Sequence, residues 1–140
     1  MFARVITLFA LALSMQSCCG CPEQEKFSRM SLDEKIVAIR QNTREGCGCE
    51  GGWSWYMEEI AKHGDAAISA MLPLLDDHDK YFRASDAVSV LRYANRLHYD
   101  ARAALQKLEE LALHGRDSST RQEATAAVRE ITAPRWSRGS

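Results

Sequence analysis

The 140-residue chain has few of the residues that define several protein classes. It contains 3 Pro and 8 Gly, which is too few for a collagen or a low-complexity chain. Lys and Arg number 18 against 19 Asp and Glu, so the chain is not a charged disordered tail. One domain is expected at this length, which excludes a multidomain enzyme. Apolar residues make up 46% of the chain and are sufficient for a buried core.

The sequence also lacks the motifs of common catalytic sites. It has no G-x-S-x-G, no phosphate-binding P-loop and no H-E-x-x-H. The paired carboxylates Glu58-Glu59 and Glu109-Glu110 are neighbours on helix surfaces and point in different directions. Acid–base catalysis needs two carboxylates that converge on one pocket. We therefore expect no catalytic residues and no cofactor.

Metal-ligating residues are present but their spacing does not favour a site. The acidic turn at 76–79 lacks the glycine and the distal glutamate of a calcium-binding loop. The four histidines end predicted helices, where a cation interacts favourably with the helix dipole. Helix capping is therefore the expected role, and no metal site is predicted, for these four residues: His63, His78, His98 and His114.

The N-terminus has the layout of a secretory signal peptide. Arg4 precedes a largely apolar run from Val5 to Leu13, and polarity returns at Ser14. As a helix this run would be about 14 Å long at ~1.5 Å per residue, too short to cross roughly 30 Å of hydrocarbon. Residues 1–17 are therefore predicted to be a cleaved signal peptide.

The end of this leader resembles the lipobox of bacterial lipoproteins. In Met15-Gln16-Ser17-Cys18 a small residue precedes a cysteine, as in the family. The resemblance implies that Cys18 becomes the lipidated N-terminus, and that the membrane is reached by this lipid anchor only. Because Cys19 stands where an Asp would resemble an inner-membrane retention signal, the expected location is the periplasmic side of the outer membrane. Ordinary cleavage nearby, without lipid, is the alternative.

The cysteines agree with an exported protein. If Cys18 carries lipid, four remain as two C-x-C pairs, and an oxidising compartment favours disulfides between the pairs. Each disulfide would add on the order of 2–4 kcal/mol. A four-thiolate zinc site is an alternative, although its paired ligands are usually two to four residues apart. Free thiols are the third option. The four disulfide candidates are Cys19, Cys21, Cys47 and Cys49.

Six helices are predicted after a polar, cysteine-containing linker at 18–30, and no segment shows the alternation typical of a strand. The first helix begins at the capping box Ser31-Leu32-Asp33-Glu34 and ends near Thr43. The others are predicted at about 54–63, 65–75, 81–97, 101–114 and 120–132, and a flexible tail at 133–140.

The helices form pairs with a repeat near 40 residues, the period of a helical solenoid. Arg83 and Arg121 lie 38 residues apart at the same place in their pairs. The segment AISAMLPLLDDHDKYFR resembles a HEAT repeat, with a leucine-rich first helix, Asp77 in the turn and Phe82-Arg83 opening the second helix. The resemblance covers 65–132, and 31–63 by analogy. It implies that Asp77, Arg83 and Arg121 bond the turns to neighbouring repeats.

The expected fold is therefore all-α: an α-solenoid of about three HEAT-like antiparallel helix pairs, spanning 31–132, after a cleaved signal peptide.

Two groups of residues are candidates for binding a partner protein. Residues 80–140 carry 11 Lys and Arg against 7 Asp and Glu, whereas 19–79 carry 6 against 12. Arginine makes forked bonds to carboxylates, and aromatic residues anchor interfaces. The first group is Arg92, Arg96, Tyr99 and Arg102, with internal pairing of the arginines as the alternative. The second is Trp53, Trp55 and Tyr56 behind a glycine-rich loop, with capping of the first repeat as the alternative.

These features together favour a non-catalytic protein-binding module in the bacterial envelope. A HEAT-like exported protein of this size resembles immunity proteins. With the arginine-rich solenoid surface and the lack of catalytic motifs, this resemblance implies most specifically an immunity-type protein that sequesters a toxic effector. The expected partner is another protein, either a secreted toxin or an envelope component, and not nucleic acid. A structural scaffolding lipoprotein is the first alternative, and a thiol redox or metal-handling protein is the second.

Overall fold

The computed structural model describes residues 23–41, 52–76 and 82–134. These residues are 79% helical and contain no strand, which confirms the all-α class. The helices are α1 Gln24–Arg29, α2 Leu32–Gln41, α3 Gly52–Ala61, α4 Asp65–Met71, α5 Ala84–Arg96, α6 Leu105–His114 and α7 Ser118–Thr132. Single 3₁₀ turns, Pro73–Leu75 and Arg102–Ala104, follow α4 and precede α6.

The start of α2 is the predicted capping box. The Ser31 N–H donates to Glu34 Oε2 at 2.8 Å, and the Glu34 N–H donates to Ser31 Oγ at 3.3 Å. Two backbone donors that the helix itself leaves free are thereby satisfied. The bond from the Ser31 backbone, together with its side chain, lowers the pKa of Glu34.

Helix α1 is a difference from the sequence-based expectation, which placed its residues in a polar linker and counted six helices. Its six residues contain one large apolar side chain, Phe27, and that side chain is fully buried. A single apolar position in so short a segment gives no helical periodicity. The helix is therefore held by what Phe27 packs against, which the sequence does not reveal.

The other helix boundaries shift by a few residues for local reasons. Helix α4 ends at Met71 because Pro73 has no N–H to continue the ladder, and the chain tightens into a 3₁₀ turn instead. Helix α7 begins earlier than predicted because Asp117 caps it, accepting the Thr120 N–H at 2.7 Å. The bonds from the Thr120 backbone and hydroxyl lower the pKa of Asp117.

Helix α5 lies at the centre of the packing. It contacts α3, α4 and α7, while α6 packs on α7 and α2 packs on α3. Because it has neighbours on several sides, α5 has five fully buried residues, Ala87, Val88, Val90, Leu91 and Ala94. Helices packed against each other in this order are compatible with a helical repeat.

A close contact joins the turn before α4 to the turn after α5. Gly64 has a φ of 66°, and a Cβ placed on it would lie 2.6 Å from Cε1 of the Tyr99 ring. The position therefore requires glycine both for its backbone conformation and for the space that Tyr99 fills.

The substitution Gly64→Ala is expected to lower the free energy of unfolding by about 1–3 kcal/mol, because it adds left-handed strain and displaces the tyrosine ring. Urea denaturation measures this loss. The double variant Gly64→Ala, Tyr99→Ala is the matched control, since it removes the clash and leaves only the backbone strain. An unfolding midpoint of Gly64→Ala equal to that of the wild type would show that Tyr99 does not pack on Gly64.

Candidate protein-binding site

The candidate partner-binding residues fall in two separate places. Trp53, Trp55 and Tyr56 are on α3 at the N-terminal side of the packing. The other four are at the C-terminal half of α5 and in the turn that follows it. The structure therefore does not combine the two groups into one surface.

The α3 aromatics form a cluster with Phe27 of α1. The Tyr56 ring makes edge contacts, at 5.0 Å between ring centroids, with both Phe27 and Trp55, and lies 5.7 Å from Trp53. Such edge-to-face pairs add stability beyond their buried area. Tyr56 is 2% exposed and its burial raises the pKa of its phenol. The aromatic cluster (Phe27, Trp53, Trp55 and Tyr56) thus packs α1 onto α3.

Arg92 and Arg96 form ion pairs within the chain, with two glutamates of α7. Arg92 reaches Glu123 at 2.5 Å and Glu130 at 2.5 Å, and Arg96 reaches Glu130 at 2.9 Å. The Asn95 side chain donates to the Glu130 carbonyl at 3.2 Å. These are the internal bonds that the sequence left open as the alternative for the arginines. They join α5 to α7 along one side of the packing.

The pKa directions in this ion-pair network follow from its bonds. Bonds to Glu130, and secondarily to Glu123, raise the pKa of Arg92 against the opposing effect of burial. Burial alone would raise the pKa of Glu130, but the bonds from Arg92 and Arg96 outweigh it and lower that pKa. Both shifts favour the charged forms of Arg92 and Glu130.

The chain from Arg96 to Arg102 presents a mixed apolar and charged edge, here called the 96–102 edge. Leu97 is 39% exposed and Tyr99 is 37% exposed, and the arginines at both ends are more exposed still. Arg102 forms a fork to Asp100, with Nε to Oδ1 at 2.8 Å and Nη2 to Oδ2 at 2.6 Å. The bond to Asp100 raises the pKa of Arg102. This fork presents a planar guanidinium at the surface, in the same short segment as Leu97 and Tyr99.

A cavity of about 360 Å³ opens beside this edge. Asp100 and Arg102 line one part of it, and Leu105, Ile131 and Ala133 supply apolar lining from α6 and the end of α7. An apolar floor with a few polar groups at the rim is the arrangement that receives a partner's side chain. Sequence reasoning found three residues of the edge but missed Leu97 and the α7 contribution to the cavity.

Two of the three residues predicted to bond the repeat turns, Arg83 and Arg121, do not share one environment. Arg121 Nη1 donates to the Gly115 carbonyl at 2.7 Å, so it bonds the turn between α6 and α7. Arg83 is exposed and precedes the first turn of α5 as its N-cap. Asp77 and His78 lie outside the described residues, as do Cys18, Cys19, Cys21, Cys47 and Cys49.

Two further features of the described residues concern metal ligands and membrane-spanning helices. Among the described residues, no three His, Cys, Asp or Glu side chains come together as metal ligands would. In the same three stretches of chain, no helix has both the length and the apolar character of a membrane span.

Comparison with known proteins gives no family for the chain: no family model, curated protein or solved structure matches it.

Proposed function

We propose that this protein is a non-catalytic protein-binding module of the bacterial envelope, and most specifically an immunity-type protein that sequesters a toxic effector. The observation that carries the proposal is the 96–102 edge. There Leu97 and Tyr99 are exposed, and the Arg102–Asp100 fork lines part of a cavity of about 360 Å³. Exposed apolar side chains and an arginine in one short segment are typical of a protein interface.

The proposal includes an α-solenoid of three HEAT-like helix pairs, α2–α3, α4–α5 and α6–α7. The contacts of α5 with both α3 and α7 support this stacking of second helices. Lys107 of α6 donates to the Leu72 carbonyl at 3.2 Å, which links the first helices of two successive pairs. In such an array, turns at one end of the pairs form a continuous edge that a partner can contact.

Export and lipidation at Cys18 remain part of the proposal and are supported by the leader sequence alone. An envelope location also underlies the alternative of a scaffolding lipoprotein, which would bind an envelope component through the same edge. Gene neighbourhood separates the two, since an immunity protein is encoded beside its toxin. Thiol titration with metal analysis tests the redox or metal-handling alternative.

Site-specific photo-crosslinking tests the binding edge. A photoreactive amino acid at position 99 is expected to capture one predominant protein in living cells, whereas the same amino acid at position 113 captures none. Leu113 is the matched control because it is apolar and 73% exposed. It lies eight residues beyond the start of α6, about 12 Å along the helix from the cavity.

The purified partner then allows affinities to be compared. Tyr99→Ala and Arg102→Glu are each expected to weaken binding about 10–100-fold, the effect of losing an interface anchor. Leu113→Ala should bind as the wild type does. Equal capture from positions 99 and 113, or unchanged affinity of both edge variants, would contradict the proposed surface.

A further inference from the structure

A lysine ammonium lies inside the contact between α2 and α3. Lys35 is 3% exposed, and its Nζ donates to the Glu59 carbonyl at 3.3 Å. The same Nζ lies 3.1 Å from Nε2 of His63, 3.8 Å from a Glu59 carboxylate oxygen and 5.6 Å from the centre of the Phe27 ring. Buried lysines are rare, so the groups around this one decide whether its charge is tolerated.

While Lys35 carries its charge, the Lys35–His63 contact requires one particular protonation state of the imidazole. An ammonium group only donates hydrogen bonds, so His63 Nε2 must be the acceptor, and the imidazole must be neutral. A protonated imidazole carries N–H on both nitrogens and would place donor against donor and cation against cation. The Glu59 carboxylate offsets a second charge only in part, because Lys62 already pairs with it.

The charged groups around His63 come from several elements. Lys35 faces it from α2, and Glu59 and Lys62 lie beside it at the end of α3. Ser28 of α1 bonds to Glu59, and the Tyr99 phenol ring packs on Gly64, the next residue in the chain.

Burial first, and the Lys35 charge second, lower the pKa of His63, while Glu59 opposes them. Burial likewise lowers the pKa of Lys35. The unfolded chain therefore takes up a proton on His63 more readily than the folded chain does. This contribution to stability is complete above the ordinary histidine pKa of 6.5 and is lost as the pH falls below it.

We propose that the Lys35–His63 contact is a proton-sensitive latch, which holds α1 and α2 over the aromatic cluster and releases them when His63 gains a proton. Helix α2 packs chiefly on α3. The buried side chains of α1 and α2 are Phe27, Lys35 and Ile39, and partly buried apolar side chains such as Leu32 and Ile36 pack beside them. Because α1 and α2 bury fewer side chains than α5 does, weakening the Lys35 attachment favours local opening over global unfolding. Opening uncovers Trp53, Trp55 and Tyr56 without disturbing α5, α6 and α7. This regulation goes beyond the proposed function and does not depend on it.

Hydrogen–deuterium exchange on the full chain tests the latch at about pH 7.5 and about pH 5.5, the range over which histidine titrates. After correction for intrinsic exchange, protection in α1 and α2 should fall at least about fivefold relative to α5, because like charges at contact distance repel each other even at the dielectric constant of bulk water. His63→Gln keeps an acceptor for Lys35 and cannot take up a proton, so in this variant the protection of α1 and α2 should not change between the two pH values. His114→Gln, at an exposed helix end, should respond as the wild type does.

A second variant keeps the test independent of folding changes at position 63. Lys35→Met preserves the apolar stem and removes the ammonium, so the pKa of His63 measured by NMR titration should rise towards its ordinary value. An unchanged pKa in Lys35→Met would overturn the latch. So would an undiminished pH response in His63→Gln, or a lack of protection in α1 and α2 at the higher pH.

Discussion

Replacement of Phe27 by alanine is expected to cost about 3–5 kcal/mol of free energy of unfolding, the range for removing a buried aromatic side chain. The ring is fully buried and lies 5.0 Å from the Tyr56 ring and 6.1 Å from that of Trp55. Because α1 has only six residues, it cannot persist without this attachment. The loss should therefore detach α1 and weaken α2 rather than unfold α5 or α7.

Tryptophan emission during urea denaturation, in a Trp136→Phe background, measures this effect because Trp53 and Trp55 then give the whole signal. Lys26→Ala is the matched control, since Lys26 is an exposed neighbour in the same helix. Its effect should stay within about 0.5 kcal/mol, as is usual for surface positions. Equal stabilities of Phe27→Ala and Lys26→Ala would show that α1 is not held by its aromatic side chain.

The second large effect is expected from Glu130→Gln, which removes the charge shared by Arg92 and Arg96 and preserves the shape of the side chain. Bonds to a charged group contribute about 1.5–3 kcal/mol each. Because all three side chains are partly exposed, solvent screens these bonds. We therefore expect a total loss of about 1.5–3 kcal/mol of free energy of unfolding. Glu109→Gln, on the exposed surface of α6, should change the stability little.

The pH dependence of this network has a definite sign. The pKa of Glu130 is lowered in the folded protein, so its contribution is complete above the ordinary value of 4.5 and disappears as the pH falls through the folded value. The difference between wild type and Glu130→Gln in urea denaturation should therefore shrink in acid. A difference that is absent at neutral pH, or that grows in acid, would contradict the Arg92–Glu130 pairing.

Local sequence signals predicted much of the fold. Short stretches of sequence predict three kinds of feature: the capping box at 31–34, the Asp and Gly residues in the turns, and the apolar faces of the longer helices. Helix α1 was missed because its stability depends on a contact with α3, about 30 residues away in the chain. Tertiary packing, and not propensity, stabilises so short a helix.

The candidate site was predictable only in part for the same reason. Arg96, Tyr99 and Arg102 are close in sequence, so they were identified together. The glutamates that bind Arg92 lie 31 and 38 residues away, and their approach depends on how α5 packs against α7. The cavity likewise needs Ile131 of α7 beside Leu105 of α6. Tyr56 was a candidate for a recognition surface, with capping of the first repeat as the alternative for its group, and its burial depends in part on Phe27 of the unpredicted α1.

The most direct test of the proposed function is the growth of cells that export the toxin encoded beside this gene. Co-expression of the wild-type protein is expected to restore growth, and the double variant Tyr99→Ala, Arg102→Glu is expected to fail although it folds and is exported normally. Leu113→Ala should protect fully. Full protection by the double variant, or the lack of any toxin that the wild type neutralises, would contradict an immunity-type role carried by the 96–102 edge.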